Sequence, residues 1–202
     1  MKTRTAKEMA LTVFQRHEGM LRTGQALKLG IHPRTLYAIR DSGEIAAVGR
    51  GCYRLADLPP LGSPDLVAVA SAVPKGVVCL VSALAFHGIT TQIPHQVDLA
   101  LARPTKRPRL GYPPMRVFWF SDCAFTEGVE RYVLDGVPVR VYGPAKTVAD
   151  CFKYRNKIGL DVAMEALRLC RHKKKATVDD LMKYARICRV EGTMRPYLEV
   201  ML

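Results

Sequence analysis

With 202 residues, 49% of them apolar, the chain is long enough to bury a sizeable core, as one domain or as a small module joined to a larger one. Its formal net charge of +13 attracts polyanions through counterion release and steers their encounter, which makes nucleic acid the first candidate partner. No apolar run reaches the roughly twenty residues of a helical membrane span, and MKTRTAKEMALTVF lacks the apolar core and cleavage site of a signal peptide, so a cytoplasmic location and no membrane partner are expected.

Residues 6–17 read as an amphipathic helix with Met9, Ala10, Val13 and Phe14 on one side. The next stretch, LRTGQALKLGIHPRTLYAIRDSGEIAAVGRGCYRL over 21–55, reads as helix, turn, helix and tight β-hairpin. Thr23 is the expected N-cap of the first of these helices, Ala26, Leu27 and Leu29 are its apolar residues, and Gly30 stops it. His32 and Pro33 open the second helix, with proline where its missing N–H costs nothing, and Gly43 closes it. The runs 44–48 and 52–55 flank the turn Gly49, Arg50, Gly51, giving a hairpin with a basic tip. That order is a winged helix-turn-helix.

Within the second helix, residues three and four apart share a face. Leu36 and Ile39 fall on the inner side, whereas Arg34, Tyr37 and Ala38 point outward beside Thr35 and Arg40. Arginine pairs with guanine edges or grips phosphate, threonine and tyrosine donate hydrogen bonds, and alanine permits close approach, so the outer face suits a DNA groove. The alternative is that these arginines are merely solvated, and that Tyr37 is a partly buried aromatic with a satisfied hydroxyl.

The segment 57–64, DLPPLGSP, has linker composition. It divides a DNA-binding domain over 1–57 from a mixed α and β domain over 65–202. In the latter we expect a helix over 65–73, a strand over 76–81, a helix over 82–87 capped by Ser82, and strands over 96–101, 115–120, 131–134 and 137–142. Asp135 and Gly136 supply the turn between the last two strands. Helices follow over 145–154, 161–169 and 177–188, the last opened by a capping box in which Asp180 replaces the usual glutamate. The fold class is therefore α+β, a winged helix-turn-helix joined to a mixed domain ending in helices.

The six cysteines, Cys52, Cys79, Cys123, Cys151, Cys170 and Cys188, show no CxxC or Cys/His pair at ligand spacing. They are expected to be reduced core thiols, and neither a metal site nor a cofactor is indicated. There is no phosphate-binding glycine loop, HExxH or GxSxG. The enzyme alternative is a metal-dependent nuclease with Asp98 as one ligand and Glu127 or Asp135 as another. It lacks a carboxylate followed two residues later by lysine in an expected strand. His87 and His95 read as a helix-end and a loop histidine with structural or solvated roles.

The basic residues form three groups. Arg16, Arg22, Lys28, Arg34, Arg40, Arg50 and Arg54 lie in the first module, Arg103, Lys106, Arg107, Arg109 and Arg116 in the second group, and Arg171 with Lys173, Lys174 and Lys175 in the third. Trp119 is expected in a core strand, which leaves RNA binding without an exposed aromatic platform.

The phrase Arg50 to Leu55 (RGCYRL), the preceding helices and the later stretch AKTVADCFKYRNKIG, with Thr147, Ala149 and Asp150, resemble the AbiEi family of antitoxins. The resemblance implies a transcriptional regulator that represses its own operon by binding inverted repeats in its promoter. It further implies an antitoxin of a type IV phage-defence system, countering a nucleotidyltransferase-like toxin with which it need not form a stable complex. Carried over to this chain, the DNA-contacting positions are Arg34, Thr35, Tyr37 and Arg40 in the second helix and Arg50 and Arg54 in the wing. Arg22 and Thr23 join them at the start of the first helix. No heptad supports a stable dimer, so a monomer or weak dimer assembling on DNA is expected.

Overall fold

The structure is a computed structural model and describes residues 5–49 and 51–201. Two compact units emerge. The first comprises Met1–Pro74 with Val133–Val139, the second Lys75–Tyr132 with Arg140–Leu202. The segment 57–64, expected as a linker, therefore lies inside the first unit, because the helix that follows it packs back on that unit's sheet.

In the first unit, α1 (Ala6–Arg16) starts at Thr5, whose hydroxyl accepts from the Glu8 N–H while the Glu8 carboxylate accepts from the Thr5 N–H. Ala10 and Phe14 are buried, but Met9 stands exposed on the flank of the stripe rather than in it. A strand absent from the sequence reading, β1 (Met20–Arg22), follows. Next come α2 (Thr23–Lys28), α3 (Pro33–Asp41), β2 (Ile45–Gly49), β3 (Cys52–Leu55) and α4 (Pro64–Ala72).

The three strands form an antiparallel sheet in the order β1-β3-β2, with Leu21 opposite Tyr53 and Ala46 opposite Arg54. Thr23 does not cap α2. The Gln25 side chain accepts from the Arg22 N–H, and the Thr23 hydroxyl donates to the Gly51 carbonyl, tying the helix start to the hairpin. Gly30 ends α2 in the left-handed region at φ 87°, where a Cβ would be strained. His32 caps α3, its Nδ1 accepting from the Arg34 N–H at 3.2 Å, and Pro33 occupies the first turn. Leu36, Ile39 and Phe14 are fully buried, and each contributes about 1.5–3 kcal/mol. The helix order and this shared core are consistent with a helix-turn-helix.

The second unit is built on β4 (Val77–Val78), α5 (Leu80–His87), β5 (Val97–Ala102), β6 (Met115–Phe120), α6 (Asp122–Thr126), the parts of β7 (Val129–Leu134) and β8 (Val137–Tyr142) outside Val133–Val139, α7 (Pro144–Lys153), α8 (Arg155–Ile158), α9 (Leu160–His172), α10 (Val178–Ile187) and α11 (Glu191–Val200). The sheet order is β6-β5-β4-β8-β7. β5 runs parallel to β6 in the register Val97 to Met115, β4 antiparallel to β5 and parallel to β8. Asp135 and Gly136 turn the β7–β8 hairpin with φ of 48° and 77°.

The strand expected over 76–81 is cut to two residues because α5 begins at Leu80. Ser82 therefore does not cap that helix: its hydroxyl donates to the Gln96 carbonyl and accepts from the Asp98 N–H. α7 is enclosed by α5, α9, α10 and α11, and every residue from Ala145 to Phe152 is buried. The expected capping box of α10, Thr177 with Asp180, is formed. Cys123 is exposed at the start of α6, unlike the other five cysteines, which are buried.

Candidate nucleic-acid interface

α3 presents one face to solvent because Leu36 and Ile39 anchor the opposite one. Arg34, Tyr37 and Arg40 are exposed there, with Thr35 and Ala38 half-buried between them. Tyr37 is 42% exposed, so it presents part of its surface to solvent rather than lying in the core. Arg40 stacks on that ring with its guanidinium carbon 4.9 Å from the centroid. The same guanidinium donates to the Asp41 carboxylate at 2.8 and 2.6 Å, and Asp41 raises the Arg40 pKa. Arg34, six residues earlier, forms no salt bridge among the described residues and presents an uncommitted planar donor set.

The remaining candidate residues occupy different positions. Arg22 is half-buried and its guanidinium donates to the Ala70 carbonyl at 3.4 Å, fastening β1 to α4. Arg54, half-buried in β3, donates to the Leu58 and Pro59 carbonyls. Thr23 is engaged with Gly51, as described above. Arg50 lies outside the described residues. The structure thus gathers Arg34, Thr35, Tyr37 and Arg40 on one helix face and commits Arg22, Thr23 and Arg54 to backbone carbonyls.

The carboxylates considered for a nuclease do not form a centre. Asp98 is buried and both its oxygens are taken by Arg116, Nε to Oδ1 at 2.8 Å and the second guanidinium nitrogen to Oδ2 at 3.0 Å. Burial raises the Asp98 pKa and the Arg116 hydrogen bonds oppose it. Asp135 sits in the hairpin turn and Glu127 at the end of α6. Among the described residues no group of three His, Cys, Asp or Glu side chains is placed to hold a metal ion.

Sequence reasoning missed the most unusual polar pair of the second unit. Lys146 and Asp150 are fully buried on α7, Nζ to Oδ2 at 2.5 Å, with the ammonium 4.1 Å from the Tyr142 ring centroid and 4.9 Å from that of Phe120. The Cys188 thiol donates to the other Asp150 oxygen at 3.1 Å. Burial pushes the Asp150 carboxyl up and the Lys146 charge opposes this. Opposite charges four residues apart, Lys146 and Asp150, among Ala145, Val148, Ala149, Cys151 and Phe152 were the available signal.

No helix among the described residues is long and apolar enough to cross a membrane. Residues 8–56 match the AbiEi_4 family, described as transcriptional regulator, AbiEi antitoxin. The match ends at the end of the β-hairpin and covers neither α4 nor the second unit. No curated protein matches the chain.

Proposed function

Taking as premise that the first module matches a family of antitoxin transcriptional regulators, we propose that this chain is a sequence-specific DNA-binding repressor of its own promoter and has no catalysis of its own. The observation that carries the reading is the exposed face of α3, where Arg34, Thr35, Tyr37 and Arg40 stand together over a helix-turn-helix core. In this reading α3 enters the major groove, Arg34 reads base edges, and Thr35 and Tyr37 contact phosphate or bases. The β2–β3 hairpin is the wing of a winged helix, and Arg50 and Arg54 contact the DNA backbone, Arg54 by exchanging its Leu58 and Pro59 carbonyls for phosphate. Thr23 ties the start of α2 to Gly51 in the hairpin turn, and Arg22 ties β1 to α4. Two copies meet on an inverted repeat whose half-sites lie about one or two helical turns apart.

The second unit supplies the antitoxin function of a type IV phage-defence pair, countering a nucleotidyltransferase-like toxin encoded beside it. A reporter fused to the chain's own promoter tests both parts. Repression by the wild type, lost in Arg34→Ala, together with rescue of growth when the neighbouring reading frame is co-expressed, is the expected result. An unrepressed reporter overturns the regulator assignment. Repression without any growth rescue overturns the antitoxin assignment alone.

A further inference from the structure

The expected burial of Trp119 does not hold. In β6, Phe118 and Phe120 face the helical core while Trp119, on the opposite face, is 36% exposed. Its ring is fixed, because the indole Nε1–H donates to the Thr105 carbonyl at 2.8 Å. The loop between β5 and β6 that supplies this carbonyl carries Arg103, Lys106, Arg107 and Arg109, all exposed, and Tyr112, which is 74% exposed. Residues 99–121 contain no acidic side chain. None of the four loop cations forms a salt bridge among the described residues. Arg107 donates to the Met115 carbonyl at 3.5 Å, laying the loop along β6, the edge strand of the sheet. A cleft of about 400 Å³ opens between Arg107, Arg109, Leu110 and Met115.

Cations alone on an edge strand serve to block edge-to-edge pairing. That role needs no fixed, solvent-facing indole and no exposed tyrosine among the cations. We propose that the β5–β6 loop with Trp119 and Tyr112 is a binding surface for single-stranded nucleic acid, separate from the α3 face. Unpaired bases stack on aromatic rings while arginine and lysine track the phosphates, whereas bases inside a duplex offer no free face to a ring. Trp119 held by Thr105 is a preorganised platform, and Tyr112 is a second, adaptable one.

The chain has one tryptophan, so its fluorescence reads this surface alone. The full chain is titrated with oligoadenylates of about twelve nucleotides, as RNA and as DNA, with a duplex of equal length and with polyglutamate. Saturable quenching by the single strands, weakening as salt rises, is expected. Tighter binding of the RNA strand than of its DNA counterpart names RNA as the ligand, and equal binding names the shared base and phosphate chemistry. Tyr112→Ala is expected to lower affinity about fivefold or more. The Arg107→Ala, Arg109→Ala pair should lower the log–log salt slope by about one and a half. Arg34→Ala should leave the quenching unchanged. The proposal falls if neither single strand quenches at low salt, if the duplex or polyglutamate binds as well, if Arg34→Ala abolishes the signal, or if both loop variants bind like the wild type.

Discussion

Arg40 lies over the ring of Tyr37, 4.9 Å from its centroid, while Asp41 grips the same guanidinium through two hydrogen bonds. In the absence of DNA one cation of the proposed reading face is therefore occupied by its own chain neighbour. Exposed pairs of this kind are weak in water, and phosphate oxygens compete for the same donors. Asp41→Asn should release Arg40 to the DNA backbone, tightening binding to every duplex and steepening the log–log salt slope by about one. Gel-shift titrations at several salt concentrations measure it. An unchanged slope means that Arg40 does not reach phosphate.

Arg34 behaves differently, because it is exposed and makes no salt bridge among the described residues. If it pairs with a base edge, Arg34→Ala should cost about 1–3 kcal/mol on the preferred sequence and relax base preference at one position. Selection from a randomised duplex library, run on wild type and variant, reads that position directly. Uniform weakening on all sequences would place Arg34 on phosphate.

The Lys146–Asp150 pair makes a stability prediction that does not depend on DNA. Lys146→Met leaves the Asp150 carboxylate buried without its cation and should cost about 3–5 kcal/mol. Replacing both, Lys146→Met with Asp150→Leu, should recover a large part of that loss, because the desolvation cost goes with the charges. Urea denaturation midpoints of the two variants at equal m-value decide it. A double variant no more stable than the single one would show that the pair itself, with its Tyr142 and Cys188 contacts, is the favourable element.

His87 gives the pH dependence. Burial holds its imidazole below the usual range, and the hydrogen bond to the Tyr142 carbonyl, 2.8 Å away, opposes the shift. The neutral form is thus favoured in the folded state, and the unfolded chain takes up the proton first as pH falls. The stability this contributes is present in full above the unfolded value, about 6.5, and is lost as pH drops from there toward the folded value. Thermal melts between about pH 7.5 and pH 5 should show a smaller decline for His87→Gln than for wild type. Parallel curves would remove His87 as the source.

The first helix was readable from the apolar stripe of residues 6–17, and the next two from residues that punctuate their boundaries locally: His32 with Pro33, Gly30 and Gly43. β1 was not, since three residues become a strand only through pairing with β3, some thirty positions away. α11 was hidden by Gly192 and Pro196, which oppose helix locally and are overridden by the burial of Met194 and Leu198. The run VFWF could not say which aromatic faced out, because a shift of one residue exchanges the faces of a strand. Of the candidate site, the shared face of Arg34, Tyr37 and Arg40 followed from helical spacing alone. The engagement of Arg22 with Ala70 and of Arg54 with Pro59 could not be foreseen, because it depends on where remote backbone carbonyls arrive in the fold.

The proposed regulator role stands on α3 reading duplex sequence. Its most direct test is a salt-dependent titration of the full chain on its own promoter and on a scrambled duplex of equal length and composition. Binding to the promoter should be tighter by about 10³-fold or more, with the preference lowered by about 5- to 150-fold in Arg34→Ala and with salt weakening both duplexes. Equal affinity for promoter and scrambled duplex, at every salt concentration, would contradict it.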